Sequence, residues 1–327
     1  MMPFIVRCRL LCAVAGMAVL FAVQSPAHAQ AWPTHAVQII VPYPPGGSSD
    51  VIARLLAVKF SDAFKQPFLV ENRPGAGTMI GTTQVARAAP DGYTLLIADV
   101  PFTVNASVLP NPTYDPIKDF APISIVGVSA QFLYSNAAQF KSLAELIAAA
   151  RAKPGEVTIA SGGNGTASHL MIEMLQMGAR VKLVHVPYKG SAPALTDAVG
   201  GQVNGVFSTL ASAAPHVASG KLRVLAVTSA ARLPSLPEVP TFVESGMPEM
   251  VVEHWWGFLG PAAMPRGAVL AMNAQIAKAV AAPDVRERFA GLSVEPRVNS
   301  PEQFQQLVET YAKRWAKVAR DANVKVE

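Results

Sequence analysis

Short apolar runs alternate with amphipathic stretches along most of the chain. Residues 37–41 read as a strand, 49–64 as a helix, 68–71 as a strand, 78–88 as a helix and 93–98 as a strand. A second set follows residue 141: helix 143–152, strand 157–160, helix 167–177, strand 183–186, helix 192–199, and strands 203–207 and 222–227. Alternation of this kind packs as a largely parallel sheet covered by helices, so the predicted fold class is α/β. Because the pattern occurs twice, two similar lobes in series are expected. Residues 121–128 and 131–134 are placed to carry the backbone across, and 251–259 to bring it back. Pro261 and Pro265 punctuate the return, and helices over 267–281 and 301–319 complete the chain. The first lobe is then discontinuous, comprising 30–126 and 257–327, with 127–256 as the second. Two lobes joined by extended crossovers make a clamshell, with ligand in the cleft and closure by hinge motion.

The N-terminus sets the expected compartment. Arg7 and Arg9 precede an apolar run over 10–23, and Ala27-His28-Ala29 follows as a small-x-small cleavage site, so 1–29 reads as a secretory signal peptide. The run is shorter than the roughly 20 residues that cross a bilayer, and no later stretch is long and apolar enough. The exported chain is therefore expected to be soluble in the periplasm. Leu11 before Cys12 argues against a lipoprotein, and Pro26 with the small residues before Gln30 argues against an uncleaved anchor. Both cysteines, Cys8 and Cys12, lie within the signal, which leaves no disulfide and no thiolate metal site. The 27 basic side chains, less Arg7 and Arg9, exceed the 22 acidic ones by only three, too few and too scattered for nucleic acid. A mild positive field favours anionic ligands.

The most informative stretch is Pro42-Tyr43-Pro44-Pro45-Gly46-Gly47-Ser48-Ser49-Asp50, between a strand and a helix. Its glycines let the backbone approach a ligand, and the following helix start presents unpaired N–H groups with partial positive charge, a ready anion site. The plainer alternative is that Ser48 or Ser49 caps the helix and the glycines only make the turn. Ser161-Gly162-Gly163-Asn164-Gly165-Thr166-Ala167-Ser168-His169 repeats the design in the other lobe, so two such starts facing each other would clamp an anion. Neither has the lysine of a phosphate-binding loop nor dinucleotide glycine spacing, which disfavours nucleotides and fits a carboxylate. Arg73, Tyr188 and the crossover residues Trp255 and Trp256 are weaker candidates, each as readily a structural residue. The six histidines are scattered without metal-ligand spacing, so neither metal nor cofactor is expected. A hydrolase would need Ser48 or Ser49 with Asp50 and His169, yet Gly-x-Ser-x-Gly is absent, and capping accounts for the polar helix start.

Taken together, the motifs resemble those of the Bug proteins, periplasmic receptors of tripartite tricarboxylate transporters. The resemblance rests on Pro42 to Gly47 with Asp50, Glu71-Asn72-Arg73-Pro74-Gly75-Ala76-Gly77, Pro90-Asp91-Gly92-Tyr93-Thr94-Leu95-Leu96, Tyr114-Asp115-Pro116 with Asp119-Phe120, Val186-Pro187-Tyr188-Lys189-Gly190 and Glu238-Val239-Pro240-Thr241. It spans essentially the whole chain beyond the signal. It implies a periplasmic-binding fold of type II-like form, a small carboxylate as ligand, membrane subunits of such a transporter as partners, no catalysis and no cofactor, with the receptor monomeric. By the same resemblance the ligand carboxylate meets Pro45, Gly46, Gly47 and Ser48, with Asp50 organising the loop. The second lobe supplies Gly163, Gly165 and Thr166 with His169 behind, and Thr78, Ala98, Tyr188 and Ser208 complete the cleft. Two departures stand out. Phe207 is followed by Ser208 where the family often has aspartate, which lowers the expectation of an amino-acid ligand. Ala98-Asp99-Val100-Pro101-Phe102-Thr103 replaces a small, hydroxyl-rich loop, with Phe102 either narrowing the pocket or packing inward. A sensor that signals to a membrane histidine kinase is the alternative from another functional class, and nothing in the residues separates it from transport.

Overall fold

The computed structural model describes residues 32–108 and 112–321; the expected signal peptide at 1–29 lies outside the described residues. In chain order the first elements are β1 (Val37–Val41), α1 (Ser48–Phe64), β2 (Phe68–Asn72), α2 (Met79–Ala86), β3 (Thr94–Asp99), α3 (Pro101–Val108) and β4 (Phe120–Ala130). Then come β5 (Phe132–Asn136), α4 (Leu143–Ala152), β6 (Thr158–Ser161), α5 (Ala167–Ala179), β7 (Val184–Pro187), α6 (Ser191–Val199), β8 (Gly205–Ser208), α7 (Leu210–Ala218) and β9 (Leu222–Val227). The last are β10 (Glu253–Pro261), α8 (Arg266–Ala281), α9 (Pro283–Gly291), β11 (Glu295–Pro296) and α10 (Pro301–Asp321).

The strands form two sheets, one of six in the order β11-β4-β10-β3-β1-β2 and one of five in the order β7-β6-β8-β5-β9. Strands joined through helices pair in parallel, β1 with β2 and β3, and β6 with β7 and β8. Strands that carry the chain between sheets pair antiparallel, β10 with β3 and β4, and β5 with β8 and β9. Both sheets are thus mixed rather than largely parallel, because a chain that crosses out of a sheet and returns must run against its neighbours. β1 is buried on both faces at Ile39, Ile40 and Val41, which is why its sequence is a continuous apolar run without alternation.

The chain changes sheet at a single residue, Gln131, between β4 and β5, and returns after Thr228 at Val252. The Gln131 N–H donates to Thr228 Oγ1 at 2.9 Å and its carbonyl accepts the Thr228 N–H at 2.9 Å. Thr228 Oγ1 in turn donates to the Val252 carbonyl at 2.8 Å, so the crossovers are strapped side by side in the interior. Trp255 and Trp256 are fully buried on β10, and Trp255 lies edge-on to Phe304 of α10. At the start of α10, Ser300 Oγ accepts the Gln303 N–H and Gln303 Oε1 accepts the Ser300 N–H. With Pro301 at the first helical position, this capping box explains why that boundary was legible in the sequence.

Several elements depart from expectation. The helix expected over 78–88 begins as a 3₁₀ turn at Ala76–Thr78 and ends at Ala86, since Gly75, Ala76, Gly77 and Thr78 all have positive φ, which no helix continues. α3 and α7 were not expected. In α3 Phe102 and Val104 are buried along with the polar Thr103 and Asn105, leaving no polar face to set a period, and Pro215 within α7 reads as a break. Phe102 packs inward against Tyr114 and Phe120 and does not narrow a pocket.

Candidate functional site

The segment after β1 is held from beneath. Asp50 Oδ2 accepts the Gly46 N–H at 2.9 Å, while Oδ1 accepts from Arg54 Nε at 3.0 Å and Asn72 Nδ2 at 2.9 Å; Asn72 Nδ2 also donates to the Tyr43 carbonyl. These bonds hold the Asp50 carboxyl below its usual range against the opposing effect of burial. The loop so fixed presents Gly47, the N-cap of α1, in extended conformation and with no side chain capping the helix. Neither Ser48 nor Ser49 is a cap: both lie within α1, and Ser49 Oγ donates to Asp99 Oδ2 at 3.1 Å. Polarity at this helix start is therefore not capping, and both serines line a cavity.

A cavity of about 50 Å³ opens between the two sheets, room for roughly four waters. Its walls include the first residues, or the residues just before them, of five helices: Gly47 to Ser49 for α1, Pro101 for α3, Thr166 to Ser168 for α5, Ser191 for α6, and Ser208 with Thr209 for α7. Of these, α1, α6 and α7 have no side-chain cap, so their first-turn amides retain donor capacity toward the cavity. α5 is capped by Thr166, whose Oγ1 accepts the His169 N–H and donates to the Gly163 carbonyl. No lysine or arginine is among the described residues of the wall. Positive potential comes instead from oriented backbone dipoles.

Four buried polar atoms on this wall have no hydrogen-bond partner among the described residues: Gln131 Oε1, Ser208 Oγ, Thr209 Oγ1 and His254 Nε2. Buried polar groups are normally satisfied, so four on residues of one wall make this cavity the candidate ligand site. The remaining polar wall is Asp99, whose Oδ1 accepts from the Tyr43 hydroxyl at 2.8 Å. Burial pushes its carboxyl up to about 7 against the hydrogen bonds from Tyr43 and Ser49. His254 Nε2 lies 3.6 Å from Asp99 Oδ2, while its Nδ1 is 3.0 Å from Gln131 Nε2. With the Gln131 amide as donor, the ring proton sits on Nε2 and faces Asp99. Burial takes His254 down to about 3, so the imidazole is neutral at physiological pH.

A larger cavity of about 480 Å³ shares Tyr43 and Gly162 with the first and is lined by Gly75 to Met79, Asn105, Gly163, Asn164 and Pro187 to Gly190. The expected site residues divide accordingly. Gly47, Ser48, Thr166 and Ser208 line the small cavity, whereas Thr78, Gly163 and Tyr188 line the large one. Pro45 and Gly46 are exposed outside both walls, because Asp50 draws the Gly46 amide back beneath the loop. Ala98 lies in the core, its neighbour Asp99 occupying the wall, as alternation along a strand requires. Gly165 donates its N–H to His169 Nδ1 and abuts Asn105. His169 stacks on His185 with centroids 4.1 Å apart and lines neither cavity. The hydrolase trio does not assemble: Ser49, Asp50 and His169 each engage different partners. Arg73 pairs with Glu71 and lines neither cavity.

Sequence reasoning missed Tyr43, Ser49, Asp99, Gln131, Ser191, Thr209 and His254 as wall residues. Tyr43 and Asp99 lay within stretches already singled out, and Ser191 follows Gly190 in another. Gln131 and His254 had no local signal, since both owe their position to the crossover strands.

The family described as tripartite tricarboxylate transporter family receptor matches residues 52–324. Protein BugT of Bordetella pertussis is 37% identical over 308 residues, covering 93% of this chain and 94% of its own. The solved periplasmic binding protein BugD superposes with a TM-score of 0.86 at 34% identity, covering 90% of this chain and 100% of its own. A protein of R. palustris solved with adipate superposes at 0.87 with 33% identity, covering 90% and 99%.

Proposed function

The chain belongs to the receptor family of tripartite tricarboxylate transporters, and from that premise we propose that it captures a small carboxylate in the periplasm and delivers it to the membrane subunits of such a transporter. The observation that carries this reading is the convergence of five helix starts, without a lysine or arginine among the described wall residues, on a cavity with four unpartnered buried polar atoms. Backbone amides and hydroxyls recognise a carboxylate group and leave discrimination to the remaining walls. The similar protein solved with adipate supports the same ligand class.

In this reading the two sheets are the centres of two lobes, 30–126 with 257–327 and 127–256, and the strap at Gln131, Thr228 and Val252 is their hinge. Ligand contacts made by both lobes are gained only on closure, which is what shifts the open–closed equilibrium. Capture and release need no bond chemistry.

The test is thermal unfolding of the purified protein against mono-, di- and tricarboxylates, amino acids and aromatic acids, with the corresponding amides as controls. A ligand at a hundredfold excess over Kd adds about 2.7 kcal/mol of stability, so a rise with an acid and none with its amide is expected. If ligand-free protein responds to no acid, the carboxylate reading is wrong.

A further inference from the structure

The small cavity contains a carboxylate of its own. Asp99 lies at the C-terminal end of β3, nine-tenths or more buried, on the wall that the five helix starts complete. Across the His254 ring, which Asp99 meets at Nε2 and Gln131 at Nδ1, the Gln131 amide oxygen has no partner among the described residues. Both are acceptors. A ligand carboxylate placed against them would set oxygen against oxygen, and like charges a few ångströms apart in a poorly solvated site disfavour each other strongly. The ligand carboxylate therefore belongs at the amides of the helix starts, and the group facing Asp99 must donate.

Resting on the carboxylate-receptor reading, the geometry points to an α-amino acid as the ligand, its carboxylate on the helix N-termini and its ammonium on Asp99. An ammonium has three N–H donors and no acceptor, which suits a buried carboxylate on the cavity wall. Size agrees, since room for roughly four waters suits a carboxylate, a Cα and a nitrogen. The side chain then extends toward the larger cavity through the shared wall at Tyr43 and Gly162. This reverses the expectation drawn from Ser208 alone: the acidic group absent from the end of β8 is present at the end of β3, on the same wall.

Titration gives the inference a sign. The other ionisable groups about Asp99 are Tyr43 on the loop after β1, Tyr114 and His254 on β10. Burial raises both phenols, with Asp99 adding to the effect, and lowers the imidazole, so all three are neutral between about pH 5 and 9. Asp99 alone changes charge there, near 7 in the free protein. An ammonium requires its ionised form, so affinity should rise up to about tenfold per pH unit below 7 and level off above it. A second ligand carboxylate would instead require protonated Asp99, and affinity would fall as pH rises.

Calorimetric titration with three matched pairs, aspartate and succinate, glutamate and glutarate, alanine and propionate, at pH 6 and pH 8 tests this. At least one amino member should bind tenfold or more tighter than its partner, with the margin wider at pH 8. Asp99→Asn should erase that margin while circular dichroism and the unfolding midpoint stay those of a folded protein; Asp99→Glu should retain part of it. Tighter binding of the acids lacking nitrogen, weakening toward pH 8, would overturn the inference and leave the carboxylate receptor standing. Absence of binding by all six, with a tricarboxylate or aromatic acid of the wider panel binding, would likewise overturn the inference and leave the carboxylate receptor standing.

Discussion

At the scale of single residues, the histidines separate packing from function. His185 and His169 stack behind the loop after β6, and His185 Nε2 meets Ser161 Oγ at 2.6 Å. Burial, with the neighbouring His169, takes His185 down to about 3, and burial lowers His169 as well. For a base whose folded pKa is depressed, the unfolded chain takes up the proton first as pH falls. The stability these rings leave intact at neutral pH is therefore lost progressively from about pH 6.5 toward 3. His185→Gln should flatten that acid limb in denaturant titrations at pH 4 to 7, with ligand affinity at pH 8 changed less than twofold; an unchanged limb would show that the pair titrates as freely folded as unfolded. Gly47, Ser48 and Thr166 were legible on the wall because loop chemistry is local. Ala98 was chosen where Asp99 lines the cavity because a strand presents adjacent residues to opposite sides, and the loop pattern alone does not say which side faces the cavity.

Helix starts are the functional elements here, and α1 shows how stability and binding separate. Gly47 has φ −73° and ψ 166°, a backbone open to any L-residue, and a Cβ there would sit 3.4 Å from Ser191 Oγ, a contact that small side chains accommodate. Asp and Ser are better N-caps than Gly by a few tenths of a kcal/mol. Gly47→Asp should hold or slightly raise the unfolding midpoint while weakening carboxylate binding at least a hundredfold, because its carboxylate would occupy the amides meant for the ligand. Retained affinity would show that α1 is not part of the anion site. The same physics explains which elements the sequence reveals: capping boxes and amphipathic stripes are local, as at α10, whereas α3 and α7 form because tertiary packing outweighs an absent polar face and an internal proline.

Across the whole molecule, segments that follow strands of the two sheets touch at glycines, where a side chain would hold them apart. Gly165 has φ +72°, and a Cβ on it would overlap Asn105 Oδ1 across the cleft, where the Asn105 amide also donates to the Gly77 carbonyl. Gly165→Ala should favour the open form, lowering ligand affinity about tenfold and enlarging the radius of gyration with ligand present; Asn105→Ala in the same chain should recover part of the affinity. No change in either measurement would show that closure does not bring these loops together. The repetition of strand and helix determined an α/β fold with two sheets, and two glycine-rich helix starts without a phosphate-binding lysine supplied the expectation of a carboxylate site, because turns, caps and periodicities are written within a few residues of one another. Only the tertiary structure decided that five helix starts meet, that Gln131 and His254 are delivered to them by the crossover strands, and that Asp99 lines the same cavity, because these groups are far apart in the chain and their meeting depends on sheet order and strand direction.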